Sequence, residues 1–312
     1  MLSLGDALEE LARHVLFTFL SLTVICLLLA AAVQWSKTAR CVFRVALLRI
    51  LTFRYKKPKR IIMVRHGESM GNIDETIYAT MPDSDVPLSE LGRKQALEAG
   101  HRLRALIGPN ETVRVYCSPY KRCVQTLDGL LCGFNHDESL ITIRSEPRLR
   151  ELDFGNFESP AQMRLMKEER KRFGAFYYRF PSGESGADVF DRASSLWESL
   201  FREWRREGVP RNYVLVTHGL TARFMLTRYF RWSVEQFNTL MNPDNLEFKV
   251  MELQPDDSYK LVTPMRQWGG GELTGGWAPS SRLPSHYERF AAGRTCRVLH
   301  SEELQLSSVG EH

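Results

Sequence analysis

Four short apolar runs constrain the fold most: IIMV (61–64), VRVYC (113–117), ITIR (141–144) and YVLVT (213–217). Each has the length of a strand buried on both faces. Helical patterns alternate with them: SELGRKQALEAGHRLRALI from Ser89, YKRCVQTLDGLL from Tyr120, and GADVFDRASSLWESLFREW from Gly186. A further helix is expected after Gly219. Strand–helix alternation of this kind predicts an α/β fold with a mostly parallel sheet sandwiched by helices. EFKVMEL and SYKLVT, further on, predict an edge hairpin.

The 312-residue chain has a formal charge of +5, which would suit a polyanionic partner if it were spread over the fold. Residues 1–60, however, hold ten Lys or Arg against three acids, whereas residues 61–265 hold 27 against 29 and residues 266–312 five of each. The folded body is mildly acidic, so no nucleic-acid face is expected on it. From Val15 to Val33 run nineteen residues without a charge, about the length that crosses a hydrocarbon core. Asp6, Glu9, Glu10 and Arg13 precede that run, unlike the basic start of a secretory signal. Nine bases and no acid follow between Lys37 and Arg60.

This pattern predicts a single-pass membrane helix with the body facing the cytosol. The stretch 41–53 is expected to lie along the membrane surface. The expected organisation is a short tail over 1–14, a transmembrane helix over 15–33, a basic juxtamembrane segment over 34–58, a catalytic domain over 59–265 and a Gly-rich, poorly ordered tail over 266–312. The six cysteines form no Cys-x-x-Cys pair and read as inert thiols of a reducing compartment.

The chemistry gathers at strand ends. IIMV leads into Arg65, His66 and Gly67. YVLVT leads into His218 and Gly219, and VRVYC into a helix whose first turn holds Arg122. Glu151 lies in the loop LRELDFGNFE. In open α/β sheets, ligands bind beyond the carboxyl ends of the strands, where helix N-termini favour anions. Two imidazoles, two guanidiniums and a carboxyl group at such an edge suit phosphoryl transfer through a histidine. No metal and no cofactor are called for. The basic run Arg164, Lys167, Arg170, Lys171 and Arg172 reads as a solvated helix face rather than a second phosphate site. The aromatic run Phe176, Tyr177, Tyr178 and Phe180 suits either a leaving-group wall or the core.

IIMVRHGES, SPYKRCVQT, LRELDFGNFE and VTHG, in this order, resemble the histidine phosphatase superfamily, also called phosphoglycerate mutase-like, over about residues 59–265. MGNIDETIYATMPDSDVPLSELGRKQA and AFYYRFPSGESGADVFDR resemble its plant and fungal branch, which includes a broad-range acid phosphatase. The resemblance implies that His66 is the nucleophile and that Arg65, Arg122 and His218 bind the phosphoryl group. It further implies that Glu151 donates the proton, that Asn72 contacts phosphate, and that Ser69 and Glu184 support the site. The proline-rich insertion with paired arginines that the family's mutases carry after the catalytic glutamate does not follow Glu151. Phosphomonoester hydrolysis is therefore favoured over a mutase-type phosphotransferase, or over a membrane-tethered adaptor without activity. The motifs leave the leaving group and the oligomeric state open.

Overall fold

The computed structural model describes residues 57–134, 139–155, 159–206 and 208–274, together with residues 12, 15, 16, 18–25, 27 and 28. The chain divides into two units, Met1–Lys56 and Lys57–His312. The described residues of the first unit are helical, and apolar side chains such as Phe19 and Leu27 are exposed. Among the described residues no helix is long and apolar enough to cross a membrane. The expected span over 15–33 falls only partly within them, and the basic segment over 34–56 lies outside them.

In the second unit the sheet has the order β3-β2-β4-β1-β5-β6. Strands β1 (Arg60–Arg65), β2 (Val113–Cys117), β3 (Ile141–Ser145) and β4 (Asn212–Thr217) run parallel. Strands β5 (Phe248–Leu253) and β6 (Tyr259–Leu261) form the expected antiparallel edge pair. Side chains alternate across a strand, so β1 and β4 feed two cores at once. Ile61, Met63, Tyr213 and Leu215 enter one core with helices α4 (Gly186–Glu203) and α5 (Gly219–Phe230). Ile62, Val64, Val214 and Val216 enter the other with α1 (Glu90–Leu106) and α2 (Lys121–Cys132). Each such fully buried aliphatic side chain contributes about 1.5–3 kcal/mol of transfer free energy.

Small residues let α1 and α2 touch backbone to backbone. A Cβ added at Gly129 would lie 2.5 Å from that of Ala96, and one at Gly133 would lie 2.2 Å from the Gly100 carbonyl oxygen. The fit seats Arg122, on the first turn of α2, at the carboxyl edge of the sheet.

A third apolar cluster closes that edge on one side. It joins Phe176, Tyr178 and Phe180 to Leu152, Val189, Phe224 and Phe237, beneath α3 (Pro160–Phe173) and α6 (Val234–Thr239). The fold continues past residue 265: Met265–Arg266 (β7) pairs with Glu272–Leu273 (β8), and Met265 is fully buried. Residues 275–312, the rest of the expected tail, lie outside the described residues.

Candidate active site

Strand register brings the two histidines together. Arg65 pairs with Thr217, and Cys117 with Val216, so β1 and β4 end level and β2 ends one residue short of them. The next residues, His66, Ser118 and His218, therefore meet. The rings of His66 and His218 lie edge to face, centroids 5.1 Å apart. Ser118 Oγ is 2.9 Å from His218 Nε2, and both imidazoles are buried.

The tautomer of His66 follows from its partner. Its Nδ1 lies 2.7 Å from the carbonyl oxygen of Gly67. A carbonyl only accepts, so Nδ1 carries the proton and Nε2 keeps the lone pair. Arg122 Nε donates to that Nε2 over 3.3 Å. Burial, then the guanidiniums of Arg122 and Arg65, push the His66 pKa well below 6.5, leaving the ring neutral. Burial, Arg122 and His66 do the same to His218.

The loop after β1 is held close to α1 and α2. A Cβ at Gly67 would meet the Gly92 carbonyl oxygen at 2.8 Å, so this turn requires glycine. Gly67 N–H donates to Thr126 Oγ1 (3.0 Å), whose hydroxyl donates to the Arg122 carbonyl (2.7 Å). One threonine thus couples the nucleophile loop to the arginine helix.

Arg65 donates through Nη1 to the Pro243 carbonyl (2.8 Å), while its buried Nε has no partner among the described residues. Arg122 also grips Asp83. Its Nη1 donates to the Asp83 carbonyl oxygen (2.6 Å) and Oδ1 (2.8 Å), and its Nη2 to Oδ2 (3.3 Å). Burial is the largest influence on the Arg122 charge and opposes it, but the Asp83 carboxylate together with Cys123 and Tyr78 raises the pKa.

Glu151 sits at the N-terminus of α5. Its Oε1 accepts from Leu152 N–H (3.1 Å) and Thr221 N–H (3.2 Å), with Thr221 Oγ1, whose hydroxyl donates to the Arg150 carbonyl (2.7 Å), 3.1 Å away; among the described residues Oε2 accepts only from Leu220 N–H (3.3 Å). The less occupied Oε2 is the oxygen with room for a transferable proton. Arg192 clamps the backbone that carries Glu151, donating to the carbonyls of Arg148 (2.7 Å), Arg150 (2.9 Å) and Glu151 (3.1 Å). Glu184 accepts from Arg192, Arg150 and Asp153 N–H, tying this loop to α4.

Arg65, His66, Asn72, Arg122 and Glu151 line one cavity of about 390 Å³. His218 lies buried behind His66. Asn72 Oδ1 accepts from Ser69 N–H (3.1 Å) and Asn245 Nδ2 (3.3 Å), and Asn245 also donates to the His66 carbonyl (2.9 Å).

Phe176, Tyr178 and Phe180 belong to the core, and Tyr177 is exposed. Phe180 still backs the cavity wall through Phe154, ring centroids 4.9 Å apart. Of the basic run only Lys167 lines the cavity, and both carboxylate oxygens of Glu75 hold it at 2.8 Å. Asp83, Asn245, Thr126 and Arg192 were not expected from sequence. Arg192 lies within GADVFDR, but an arginine on a helix reads as a surface residue. Burial pushes the Cys117 thiol up to about 12 and raises the Cys123 thiol well above its ordinary value, so both stay protonated.

A buried, neutral histidine pair flanked by guanidiniums at the carboxyl edge of a parallel sheet defines an α/β protein with an anion-binding cavity. The chain belongs to the histidine phosphatase superfamily, whose branch 1 matches residues 61–263. It is 48% identical over 231 residues to the phosphoglycerate mutase-like protein AT74H of Arabidopsis thaliana, covering 68% of this chain and 82% of that one. It is 28% identical over 316 residues to the broad-range acid phosphatase DET1 of Saccharomyces cerevisiae, covering 72% of this chain and 95% of that one. Among solved structures, a mycobacterial glucosyl-3-phosphoglycerate phosphatase complexed with VO3 aligns with a TM-score of 0.51 at 25% identity, over 64% of this chain and 95% of that one. Family membership and these phosphatase relatives support a phosphatase enzyme.

Proposed function

We propose that the protein hydrolyses phosphomonoesters through a phosphohistidine at Nε2 of His66. The observation that carries this reading is the Nδ1 contact to Gly67, which leaves the Nε2 lone pair for attack on phosphorus. As the N–P bond forms, the bond from phosphorus to the leaving oxygen breaks, and Glu151 Oε2 supplies that oxygen with a proton. Arg65 and Arg122 hold the non-bridging oxygens. Among the described residues the Nε of Arg65, which lines the cavity, has no partner, a further nitrogen that a phosphoryl group would satisfy. Water then attacks phosphorus, Glu151 accepts its proton, and the N–P electron pair returns to Nε2.

Hydrolysis is favoured over mutase chemistry because the proline-rich insertion with paired arginines does not follow Glu151. A relative named as an acid phosphatase points the same way. The test is phosphate release from p-nitrophenyl phosphate. His66→Ala should lose at least about 1,000-fold in kcat, and an acid-labile phosphoenzyme should form on the wild type only. Equal rates would defeat the proposal. Isomerisation of 3-phosphoglycerate exceeding phosphate release, with bisphosphoglycerate present, would favour the mutase reading.

We also propose that residues 15–33 anchor the chain in a membrane, with the catalytic unit in the cytosol. The uncharged run and the acid-free basic segment after it support this. Full-length protein should resist alkaline carbonate extraction. Exposed Asn110, in Asn-Glu-Thr, should stay unglycosylated, whereas a glycosidase-sensitive mass shift would place the unit in a lumen.

A further inference from the structure

Arg122 already holds an anion of the protein's own. A guanidinium has five N–H groups. One goes to His66 Nε2, two to the carbonyl and Oδ1 of Asp83, and one to Asp83 Oδ2. One is left, and the one on His66 Nε2 is released when that nitrogen turns to phosphorus, which gives the two that a bidentate phosphoryl group needs. A phosphoryl group taking that edge of Arg122 stands beside the Asp83 carboxylate on the same guanidinium, and the two like charges repel.

Asp83 lies on a lightly held strap. Its two short 3₁₀ turns, Glu75–Ala79 and Asp83–Asp85, contain no buried residue. Asp83 latches the strap to Arg122 from inside the cavity, and Glu75 latches it to Lys167 of α3. Segments with little buried surface open at low free-energy cost.

We propose that Asp83 is a specificity-determining residue that occupies Arg122 until a substrate phosphoryl group displaces it, with the 75–85 strap turning outward as the exchange occurs. This rests on the assignment of Arg122 to phosphate binding, but not on turnover. Part of the binding free energy goes into separating Asp83 from Arg122, so an anion too weak to replace two charge-assisted hydrogen bonds does not enter.

The test is calorimetric titration of the full chain with inorganic phosphate. Asp83→Asn should bind phosphate about tenfold more tightly than wild type. Tighter binding by that variant would also follow from the lost negative charge, so Lys167→Gln separates the causes. Lys167→Gln removes a cation from the cavity, and charge alone makes phosphate bind more weakly. Release of the outer latch makes it bind about twofold more tightly. In wild type, phosphate should also speed amide exchange across 75–85.

Weaker binding in either variant, or exchange unchanged by phosphate, would overturn the proposal. So would a lack of phosphate binding by all three proteins. A protein that binds phosphate in this pattern but releases none from esters would overturn only the hydrolytic function.

Discussion

His66 and His218 meet edge to face, ring planes at 65° and centroids 5.1 Å apart, in a site too buried to accommodate charge on either ring. Both pKa values lie well below 6.5, burial being the larger cause and Arg122 the next. The unfolded chain therefore takes up protons near pH 6.5 that the folded chain refuses. The stabilisation is complete above that value and declines as pH falls below it. Tm should drop from about pH 7 to about pH 5, and His218→Asn should flatten that slope. An unchanged slope would contradict the assignment. Activity should not follow this decline at first, because a neutral His66 remains nucleophilic below the ordinary histidine range. A kcat/KM that falls with an apparent pKa of about 6.5 would count against it.

If Glu151 protonates the leaving oxygen, its removal should matter most when that oxygen leaves poorly. Glu151→Gln should cost about 100- to 10,000-fold in kcat/KM, which reports the step that releases the leaving group, on an alkyl phosphate. The loss on p-nitrophenyl phosphate, whose leaving group departs without a proton, should be far smaller. Equal losses on the two substrates would remove the proton-donor role.

Arg192 acts through Glu151 as a positioning residue, donating to the carbonyls of Arg148, Arg150 and Glu151 along its loop. Arg192→Ala should lower kcat about 10- to 100-fold and change KM little. The loss should steepen with poorer leaving groups, as for Glu151→Gln, and Arg192→Lys, which lacks the planar fork, should restore little of it. A uniform loss across leaving groups would indicate general loosening of the fold.

The α1–α2 contact should be intolerant of even one methyl group. In Gly129→Ala the new Cβ would lie 2.5 Å from the Ala96 Cβ. The helices must separate, at a cost of about 1–3 kcal/mol, seen as a lower urea midpoint at constant m-value. Because α2 carries Arg122, affinity for inorganic phosphate should fall as well. A variant as stable as wild type would show that the contact can relax.

Much of this was legible in the sequence. Ile61–Val64 and Tyr213–Val216 form contiguous apolar runs because strands buried on both faces leave no position for a polar residue. Their ends name Arg65, His66 and His218 directly, since a ligand-binding edge begins where the apolar run stops. Ser89 caps α1 where the helical pattern starts. These are local properties, determined by period and by the residues that flank it.

Other features depended on groups distant in sequence meeting through strand order and register. The Arg65–Thr217 pairing brings His66 to His218 across about 150 residues of chain, and no local pattern carries that distance. Burial, which only the assembled fold produces, keeps both imidazoles neutral. Asp83 lies in an unpatterned stretch of prolines and acids, yet tertiary placement sets it against Arg122. Arg192 reads as an ordinary helix arginine until the loop of Glu151 folds over it. The sequence by itself determined which chemical groups stand at the sheet edge. Tertiary structure decided their protonation, their partners and which of them the others hold in place, because hydrogen bonds and desolvation depend on neighbours in space.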